Sequence, residues 1–285
     1  MSPPPIGAAT RIAGVIGDPV AHSASPALHN AGYAALGLDY VYVAFPVPAG
    51  RGGDAVRAMP VLGLVGLNVT MPHKADAARA CDELSPDARV LGAVNTVIAR
   101  PDGRLWGDST DGEGFVRALR DDGVEPDGRS VLVLGAGGAA RAVVLALGRH
   151  GARVVVAARR LDAAVDAAAL APDGEGRGYD GLDSCVAGVD VVVNATPLGM
   201  HGEPPPFDPA VLRADHAVID LVYHPARTRL LAEAQARGVR VAANGLGMLV
   251  HQAALAFRAM TGREAPLDAM RAAVASGPDP APTRG

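Results

Sequence analysis

Short apolar runs rich in β-branched residues alternate with alanine-rich stretches along most of this chain. In the second half, the runs at 130–134 and 153–156 are apolar at nearly every position, which is typical of parallel strands covered on both faces. The stretch at 139–149 between them has the length and composition of a helix. Strands that alternate with helices predict an α/β fold built on mainly parallel sheets.

The same criteria assign elements to the rest of the chain. Ser85 before Pro86 is typical of a capped helix start, and Pro101-Asp102-Gly103 between two apolar runs predicts a hairpin. The predicted strands lie at 11–16, 40–45, 64–69, 94–99, 104–106, 130–134, 153–156, 189–193, 216–221 and 239–242. The predicted helices lie at 26–36, 86–91, 139–149, 161–169, 227–237 and 249–261.

A chain of 285 residues exceeds the usual size of one domain, so two domains with separate cores are expected. Hydrophobic residues make up 49% of the chain and aromatic residues only 4%, which predicts aliphatic, alanine-rich cores. The boundaries are placed near Asp111 and Asn244. One domain then comprises residues 1–110 plus 245–285, the other comprises residues 111–244, and the last predicted helix returns to the first domain.

The net charge of −4 and the scattered basic residues provide no surface for a nucleic-acid backbone. No stretch reaches the roughly 18 apolar residues that span a bilayer. Cys81 and Cys185 lack the spacing of a zinc site or a disulfide framework, which predicts free thiols in a reducing compartment. Because no signal-peptide pattern is seen either, we expect a cytoplasmic protein with a small-molecule partner and with neither nucleic acid nor membrane as a partner.

A GxGxxA turn follows the predicted strand at 130–134 and begins the next helix. Its first glycine permits a tight turn, its second lets the backbone approach a pyrophosphate, and its alanine lets helix and strand pack closely. The helix amino terminus then faces the negative charge. The turn therefore predicts a dinucleotide site in a Rossmann-type, doubly wound domain. The predicted contacts in the turn are Gly135, Gly137, Gly138, Ala139 and Ala140.

The end of the next predicted strand bears on the choice of cofactor. An NAD-binding domain usually places an acidic residue there for the ribose hydroxyls, whereas this chain has Arg159 and Arg160. Two guanidinium groups suit the 2′-phosphate of NADP, because they match it in charge and in bidentate hydrogen bonding. The alternatives are a solvated arginine pair or Asp162 as a displaced acidic residue. NADP is the predicted cofactor.

Lys74 is the only lysine among the 26 Lys and Arg residues of the chain. Arginine stays protonated at any working pH, whereas a lysine can release and regain a proton. If the predicted cofactor delivers hydride to a carbonyl group, negative charge builds on the carbonyl oxygen, and a cation that also supplies a proton can both stabilise that charge and protonate the oxygen. Lys74 is therefore a candidate for proton transfer and no metal site is expected, although Lys74 can also be interpreted as the start of a solvated helix.

Seven polar or glycine-rich segments occur in order between Ile12 and Phe257, nearly the whole predicted fold. Together they resemble the motifs of the shikimate dehydrogenase family. The segments are 17–26, 68–74, 92–96, 107–112, 135–141, 194–200 and 244–252.

This resemblance implies a set of site residues. Lys74 and Asp111 match the catalytic pair of the family, and Ser23 and Ser25 match the hydroxyls that hold the substrate carboxylate. Two serines before a proline are otherwise ordinary helix-capping residues. The other matching substrate positions are Thr70, Asn95, Tyr223 and Gln252. The positions that match those beside the nicotinamide are Thr196, Gly245 and Met248.

The resemblance also implies a fold and an activity. An N-terminal α/β domain would bind the substrate and the Rossmann domain would bind NADP. The implied reaction is the reversible, NADPH-dependent reduction of 3-dehydroshikimate to shikimate, in the shikimate pathway of chorismate and aromatic amino-acid biosynthesis. Quinate or an aminated shikimate analogue stays open as the substrate, a non-catalytic NADP sensor is a remote alternative, and monomer and homodimer remain equally open.

Several positions depart from the family pattern, and His73, where an aromatic residue is frequent, is one of them. Ser109 stands where asparagine is usual, and Asn244 stands where aspartate is frequent. Ala158 precedes the two arginines where the family often has Asn-Arg-Thr, which leaves the 2′-phosphate to arginine alone. A strict preference for NADP is therefore less firmly predicted than its binding.

Overall fold

The computed structural model describes residues 5–275, and the chain divides into two compact units. The first unit comprises the residues up to Thr110 together with those from Gln252 onwards, and the second comprises Asp111–His251. Among residues 5–275, no helix combines the length and the apolar character that crossing a bilayer requires.

The elements follow one another as alternating strands and helices for most of the chain. The strands are β1 (Arg11–Gly17), β2 (Tyr40–Pro46), β3 (Leu64–Val69), β4 (Glu83–Leu84), β5 (Thr96–Ala99), β6 (Leu105–Asp108), β7 (Ser130–Leu134), β8 (Arg153–Ala157), β9 (Glu175–Arg177), β10 (Val191–Asn194), β11 (Ala217–Asp220) and β12 (Val241–Asn244). The helices are α1 (Ser25–Ala35), α2 (Gly52–Arg57), α3 (Met59–Leu62), α4 (Lys74–Ala80), α5 (Pro86–Leu91), α6 (Asp111–Asp121), α7 (Gly138–Arg149), α8 (Leu161–Ala168), α9 (Leu182–Gly188), α10 (Arg229–Ala236), α11 (Leu246–Thr261) and α12 (Leu267–Ala275), with a 3₁₀ turn at Pro209–Val211.

The first unit contains a six-stranded sheet in the order β2-β1-β3-β5-β6-β4. The pairs of β1 with β2 and with β3 are parallel, whereas β5 runs antiparallel to β3 and β6. The predicted hairpin is confirmed, since β5 and β6 pair directly and Arg100 N donates to Arg104 O at 2.9 Å. The sheet is therefore mixed rather than wholly parallel.

Two hydrophobic clusters form the core of the first unit, one on each face of its sheet. Neighbouring β1 residues Val15 and Ile16 belong to different clusters, because successive side chains of a strand point to opposite faces. Phe257 of α11 packs on α1 at Gly32, where a Cβ atom would lie 2.8 Å from the phenyl ring. The predicted return of the C-terminal helix to the first domain is confirmed.

The second unit contains a six-stranded sheet in the order β12-β11-β10-β7-β8-β9, and each adjacent pair is parallel. Counted from β7, this is the doubly wound Rossmann order 3-2-1-4-5-6. Val133 and Leu134 of β7 are both fully buried but belong to different clusters. Helices therefore cover both faces of the sheet, as the apolar runs predicted.

The second unit extends to His251, whereas the sequence pattern placed residues 245–251 in the first domain. Two contacts explain the difference. Nε2 of His251 lies 2.8 Å from Oδ2 of Asp121, and a Cβ atom on Gly247 would lie 3.0 Å from Ala118. The first turns of α11 are thus attached to α6.

Helix α4 begins at Lys74, as one interpretation of that residue expected. Several other elements were not predicted from the sequence: α2, α3, α6, α9, α12, β4 and β9. Helix α6 shows why. Gly112 and Gly114 lower its intrinsic helix propensity, but α6 packs against α7, and a Cβ atom on Gly112 would lie 2.5 Å from the carbonyl oxygen of Ala142. The close contact between α6 and α7 therefore requires glycine at position 112, although glycine weakens the sequence pattern of a helix.

Candidate active site

Four of the motif segments lie at one edge of the first unit's sheet. The strand register pairs Ile16 with Val69, Asn68 with Thr96, and Thr96 with Asp108. The carboxyl ends of β1, β3 and β6 therefore lie beside the start of β5. Polar side chains that are far apart in the sequence are brought to neighbouring positions.

A buried hydrogen-bond network connects these segments. The Tyr42 hydroxyl donates to Oδ1 of Asn68 at 2.6 Å, and Nδ2 of Asn68 donates to Oγ1 of Thr96 at 3.0 Å and to the backbone oxygen of Asn95 at 3.1 Å. Burial, and then the neighbouring Tyr33, raise the pKa of the Tyr42 phenol well above its usual value. The network therefore reaches from Tyr42 to Asn95.

Asn95 carries the network onward to Thr110. Its Nδ2 donates to Oγ1 of Thr110 at 2.9 Å, while its Oδ1 accepts from Thr110 N at 2.9 Å and from Oγ1 of Thr96 at 3.0 Å. These bonds fix which end of the Asn95 amide is the acceptor. Thr110 directly precedes Asp111, which is the first residue of α6 and is 9% exposed.

The two serines lie at the start of α1. Ser23 and Ser25 are both partly exposed, and Oγ of Ser23 accepts from Ser25 N at 3.3 Å. The N-cap of α1 is Ala24, whose own side chain makes no capping hydrogen bond. The Ser23 bond thus orders the start of α1, so the capping interpretation and the binding interpretation both fit these residues.

The segment with the lysine forms a turn that enters α4. His73 N donates to Thr70 O at 3.0 Å, and Val94 N donates to Lys74 O at 3.0 Å. Lys74 is the first residue of α4 and is partly exposed. His73 is fully buried, with Nε2 2.8 Å from Val47 O, so its ring packs inside the first unit.

In the second unit, the glycines of the GxGxxA turn differ in the space around them. Gly135 has φ of +105°, and a Cβ atom there would lie 3.0 Å from Thr196. By contrast, a Cβ atom on Gly137 or Gly138 would meet nothing within 4 Å. No side chain of the described residues caps α7, and Ala140 is fully buried. Open space in front of uncapped helix amides fits a dinucleotide pyrophosphate.

Arg159 and Arg160 follow β8 after one residue, Ala158, and are both exposed. Nη1 of Arg160 is 4.0 Å from Oδ2 of Asp162, and both of these side chains are more than 70% exposed. An exposed ion pair at that distance contributes little to stability. A phosphate group can therefore take the place of the Asp162 carboxylate beside Arg160. Edge strand β9 lies alongside β8 and the residue that follows it, since Ala158 N donates to Arg177 O at 3.1 Å.

The other predicted cofactor and substrate positions of the second unit lie after β10, β11 and β12. Oγ1 of Thr196 donates to Oδ1 of Asn194 at 2.6 Å and accepts from Leu198 N at 3.2 Å, so its hydroxyl is used within its own loop. Tyr223 is partly buried, and burial raises the pKa of its phenol. A Cβ atom on Gly245 would lie 2.2 Å from Leu221 O.

Two predicted residues lie on α11. Met248 packs against a core cluster of the second unit, and Gln252 is a partly exposed residue of the first unit. Asn244, the departure just before this helix, caps its start because Oδ1 accepts from Leu246 N at 3.1 Å. Asn244 therefore caps the start of α11, although aspartate is frequent at this position in the family.

The sequence did not identify Tyr42, Thr96 and Thr110 as contributors to the site. Thr96 and Thr110 lie within two of the seven motif segments, so their proximity to Asn95 was a usable signal. Tyr42 lies inside a strand of alternating apolar and aromatic residues, and nothing local distinguishes its hydroxyl.

Known proteins match this chain over most of its length. The family description "Shikimate dehydrogenase substrate binding domain" matches residues 15–97, and "Shikimate 5'-dehydrogenase C-terminal domain" matches residues 245–275. A protein of Methanopyrus kandleri named shikimate dehydrogenase (NADP(+)) is 47% identical over 287 aligned positions, covering 94% of this chain and 96% of that protein.

Two solved structures show the same fold. Shikimate 5-dehydrogenase from Thermus thermophilus, in complex with NADP(H) and shikimate, matches with a TM-score of 0.85 and 38% identity over 93% of this chain and 98% of that one. Quinate dehydrogenase from Corynebacterium glutamicum, in complex with NAD, matches with a TM-score of 0.87 and 35% identity over 94% and 99%. The resemblance inferred from the seven segments is confirmed, and the chain belongs to the shikimate dehydrogenase family.

Proposed function

We propose that this protein is an NADP-dependent oxidoreductase that catalyses the reversible reduction of 3-dehydroshikimate to shikimate, a step of chorismate and aromatic amino-acid biosynthesis. The buried network from Tyr42 to Thr110 carries this proposal. It orders hydroxyl and amide groups from four separate segments at one edge of a sheet. Such a surface suits a small, polyhydroxylated carboxylic acid.

We assign the chemistry to Lys74 and Asp111. Lys74 supplies a proton to the ketone oxygen as hydride arrives, and its positive charge stabilises the oxygen in the transition state. Asp111 orients the ammonium group and accepts a hydrogen bond from a substrate hydroxyl. Ser23 and Ser25 hold the substrate carboxylate. The ring hydroxyls and the adjacent wall of the site are assigned to Thr70, Asn95, Tyr223 and Gln252.

NADPH would supply the hydride from its nicotinamide ring when bound. Its pyrophosphate is assigned to the turn from Gly135 to Ala140, with open space at Gly137 and Gly138. The 2′-phosphate is assigned to the exposed guanidinium groups of Arg159 and Arg160. Thr196, Gly245 and Met248 would lie beside the nicotinamide. The first unit is thus proposed as the substrate domain and the second as the NADP domain.

A substrate and cofactor matrix tests this proposal. Purified protein would be assayed for cofactor oxidation with 3-dehydroshikimate, 3-dehydroquinate and their amino analogues, each with NADPH and NADH. We expect kcat/KM for 3-dehydroshikimate with NADPH to exceed every other combination by at least about tenfold, because one lost or unpaired buried hydrogen bond costs about 1–3 kcal/mol. Greater efficiency with 3-dehydroquinate or an amino analogue would reassign the substrate. Binding of NADPH without turnover of any substrate would indicate a sensor.

Two further assignments stay with this proposal. Cys81 and Cys185 are free thiols, which suits the reducing conditions of a cytoplasm. The active form is proposed as a monomer or a homodimer, and sedimentation of the purified protein distinguishes the two.

A further inference from the structure

A buried carboxylate lies behind the predicted nicotinamide residues. Asp220 is the last residue of β11 and is fully buried. It accepts three hydrogen bonds, from Nδ2 of Asn194 at 2.9 Å, from Val222 N at 3.1 Å and from Oγ1 of Thr228 at 2.6 Å. Burial raises the pKa of this carboxyl group, and the three donors oppose that shift.

Asp220 fixes the orientation of the Asn194 amide. Nδ2 of Asn194 donates both to Asp220 and to Leu198 O at 3.0 Å, and neither of these oxygens can donate. Oδ1 must therefore point the other way, where it accepts from Thr196 N at 3.1 Å and from Oγ1 of Thr196 at 2.6 Å. The Asp220 carboxylate and Leu198 O therefore together hold the amide that orders the Thr196 loop.

Asp220 also fixes the segment that follows its own strand. It holds Val222 N, and Tyr223 is the next residue. Leu221 N donates to Asn194 O at 2.8 Å, and Gly245 N donates to Val222 O at 3.3 Å. The ends of β10, β11 and β12 are therefore connected to one another around a single carboxylate.

We propose that Asp220 is a positioning residue for the nicotinamide half of NADP, acting through Asn194 on Thr196 and through Val222 on Tyr223. In doubly wound domains, ligands bind beyond the carboxyl ends of the strands. The adenosine half is assigned to the ends of β7 and β8, whereas the three donors to Asp220 come from β10 and from the segment after β11. This inference rests on the proposed use of NADP.

The opposite end of the same sheet offers a matched control. Asp190 immediately precedes β10, and its Oδ2 accepts from Ser130 N and from Oγ of Ser130, both at 2.8 Å. Like Asp220, it is a carboxylate that takes a backbone donor and a hydroxyl donor. It differs in lying at the amino ends of the strands, away from the proposed cofactor site.

The test compares Asp220→Asn with Asp190→Asn in the full-length protein. Affinities for NADP⁺ and for 2′,5′-ADP, which lacks the nicotinamide, would be measured by calorimetry. We expect Asp220→Asn to weaken NADP⁺ binding about tenfold, the effect of losing one hydrogen bond to a charged group, and to leave 2′,5′-ADP binding unchanged. The primary isotope effect on kcat with deuterated NADPH should rise. Asp190→Asn should lower only Tm.

Equal affinity of wild type and Asp220→Asn for NADP⁺, or an equal loss for NADP⁺ and 2′,5′-ADP, overturns the inference. If Asp220→Asn does not fold, Thr228→Val removes one of the three donors and should likewise weaken binding of NADP⁺ but not of 2′,5′-ADP. A folded Thr228→Val variant that binds both ligands as the wild type does, or loses affinity for both equally, also overturns the inference. A wild-type protein that binds NADP⁺ but does not reduce 3-dehydroshikimate would refute the proposed function instead. The comparison of NADP⁺ and 2′,5′-ADP binding would still decide whether Asp220 is a positioning residue.

Discussion

The Tyr42 hydroxyl donates a hydrogen bond of 2.6 Å to Oδ1 of Asn68, and both side chains are buried. Tyr42 lies on β2 and Asn68 on β3, two strands that are separated in the sheet by β1. The phenol therefore reaches across β1 to Asn68, which continues the network to Thr96 and to the backbone of Asn95. This single hydroxyl ties β2 to the part of the site proposed for the ring hydroxyls.

We expect Tyr42→Phe to weaken substrate binding. Removal of the hydroxyl leaves Oδ1 of Asn68 without its donor, which costs about 1–3 kcal/mol of folding stability. The freed Asn68 side chain should loosen its contacts with Asn95 and Thr96, which should raise KM for shikimate several-fold and leave KM for NADP⁺ unchanged. Steady-state kinetics and urea unfolding measure the two effects.

Tyr33→Phe is the matched control for this change. Tyr33 is as buried as Tyr42 and packs 5.2 Å from the Phe257 ring in the same cluster. Its hydroxyl has no hydrogen-bond partner among the described residues, so its loss should be neutral or slightly stabilising. The same rise in KM in both variants would show that the Tyr42 hydroxyl has no special role.

Replacement of the single lysine tests the catalytic assignment. Lys74→Ala should lower kcat by about 10²–10⁴-fold, the usual contribution of a positioned acid or base. Shikimate affinity, measured by calorimetry, should change only modestly, because Ser23 and Ser25 still hold the carboxylate. Asp111→Asn should also lower kcat. Near-normal turnover of Lys74→Ala would remove the pair from the mechanism.

Replacement of the two arginines after β8 tests the cofactor assignment. The double variant Arg159→Ala/Arg160→Ala should raise KM for NADPH by about 10²-fold, since each hydrogen bond to a charged group contributes about 1.5–3 kcal/mol. KM for NADH should hardly change, because NADH has no 2′-phosphate. Equal effects on both cofactors would show that neither guanidinium recognises that phosphate.

His29 predicts a loss of stability in acid. Its ring stacks on Tyr42 at 4.2 Å and is fully buried, and this burial lowers the pKa of His29 from 6.5 to about 3. Between these values the unfolded chain binds a proton that the folded protein excludes, so stability falls as pH is lowered from 6.5. The loss from this residue is up to about 1.4 kcal/mol per pH unit.

The variant His29→Phe keeps a stacked ring and removes the titrating group. Urea unfolding of wild type and His29→Phe should therefore diverge as the pH falls from about 7.5 towards about 5, with the variant losing less stability. Carboxyl groups titrate alike in both proteins and cancel in the difference. Parallel loss in the two proteins would mean that His29 becomes protonated without unfolding.

The sequence by itself determined the features that depend on neighbouring residues. The strand at Leu64–Val69 and the helix at Pro86–Leu91 were predicted with the bounds that the structure shows, because apolar runs, a capping serine and a proline act locally. The glycine turn before α7 and the Arg159-Arg160 pair are likewise local patterns. Their order along the chain was enough to identify the family.

Only the tertiary structure decided which polar groups support the site. Tyr42 and Asn68 are 26 residues apart, as are Asn194 and Asp220, and no local pattern records either contact. Helix α6 was not predicted because Gly112 lowers its helix propensity, yet the close contact with Ala142 requires glycine at that position. A buried polar group is stabilised by whichever partner the fold brings within hydrogen-bond distance, so its role is decided by strand order and register rather than by its neighbours in sequence.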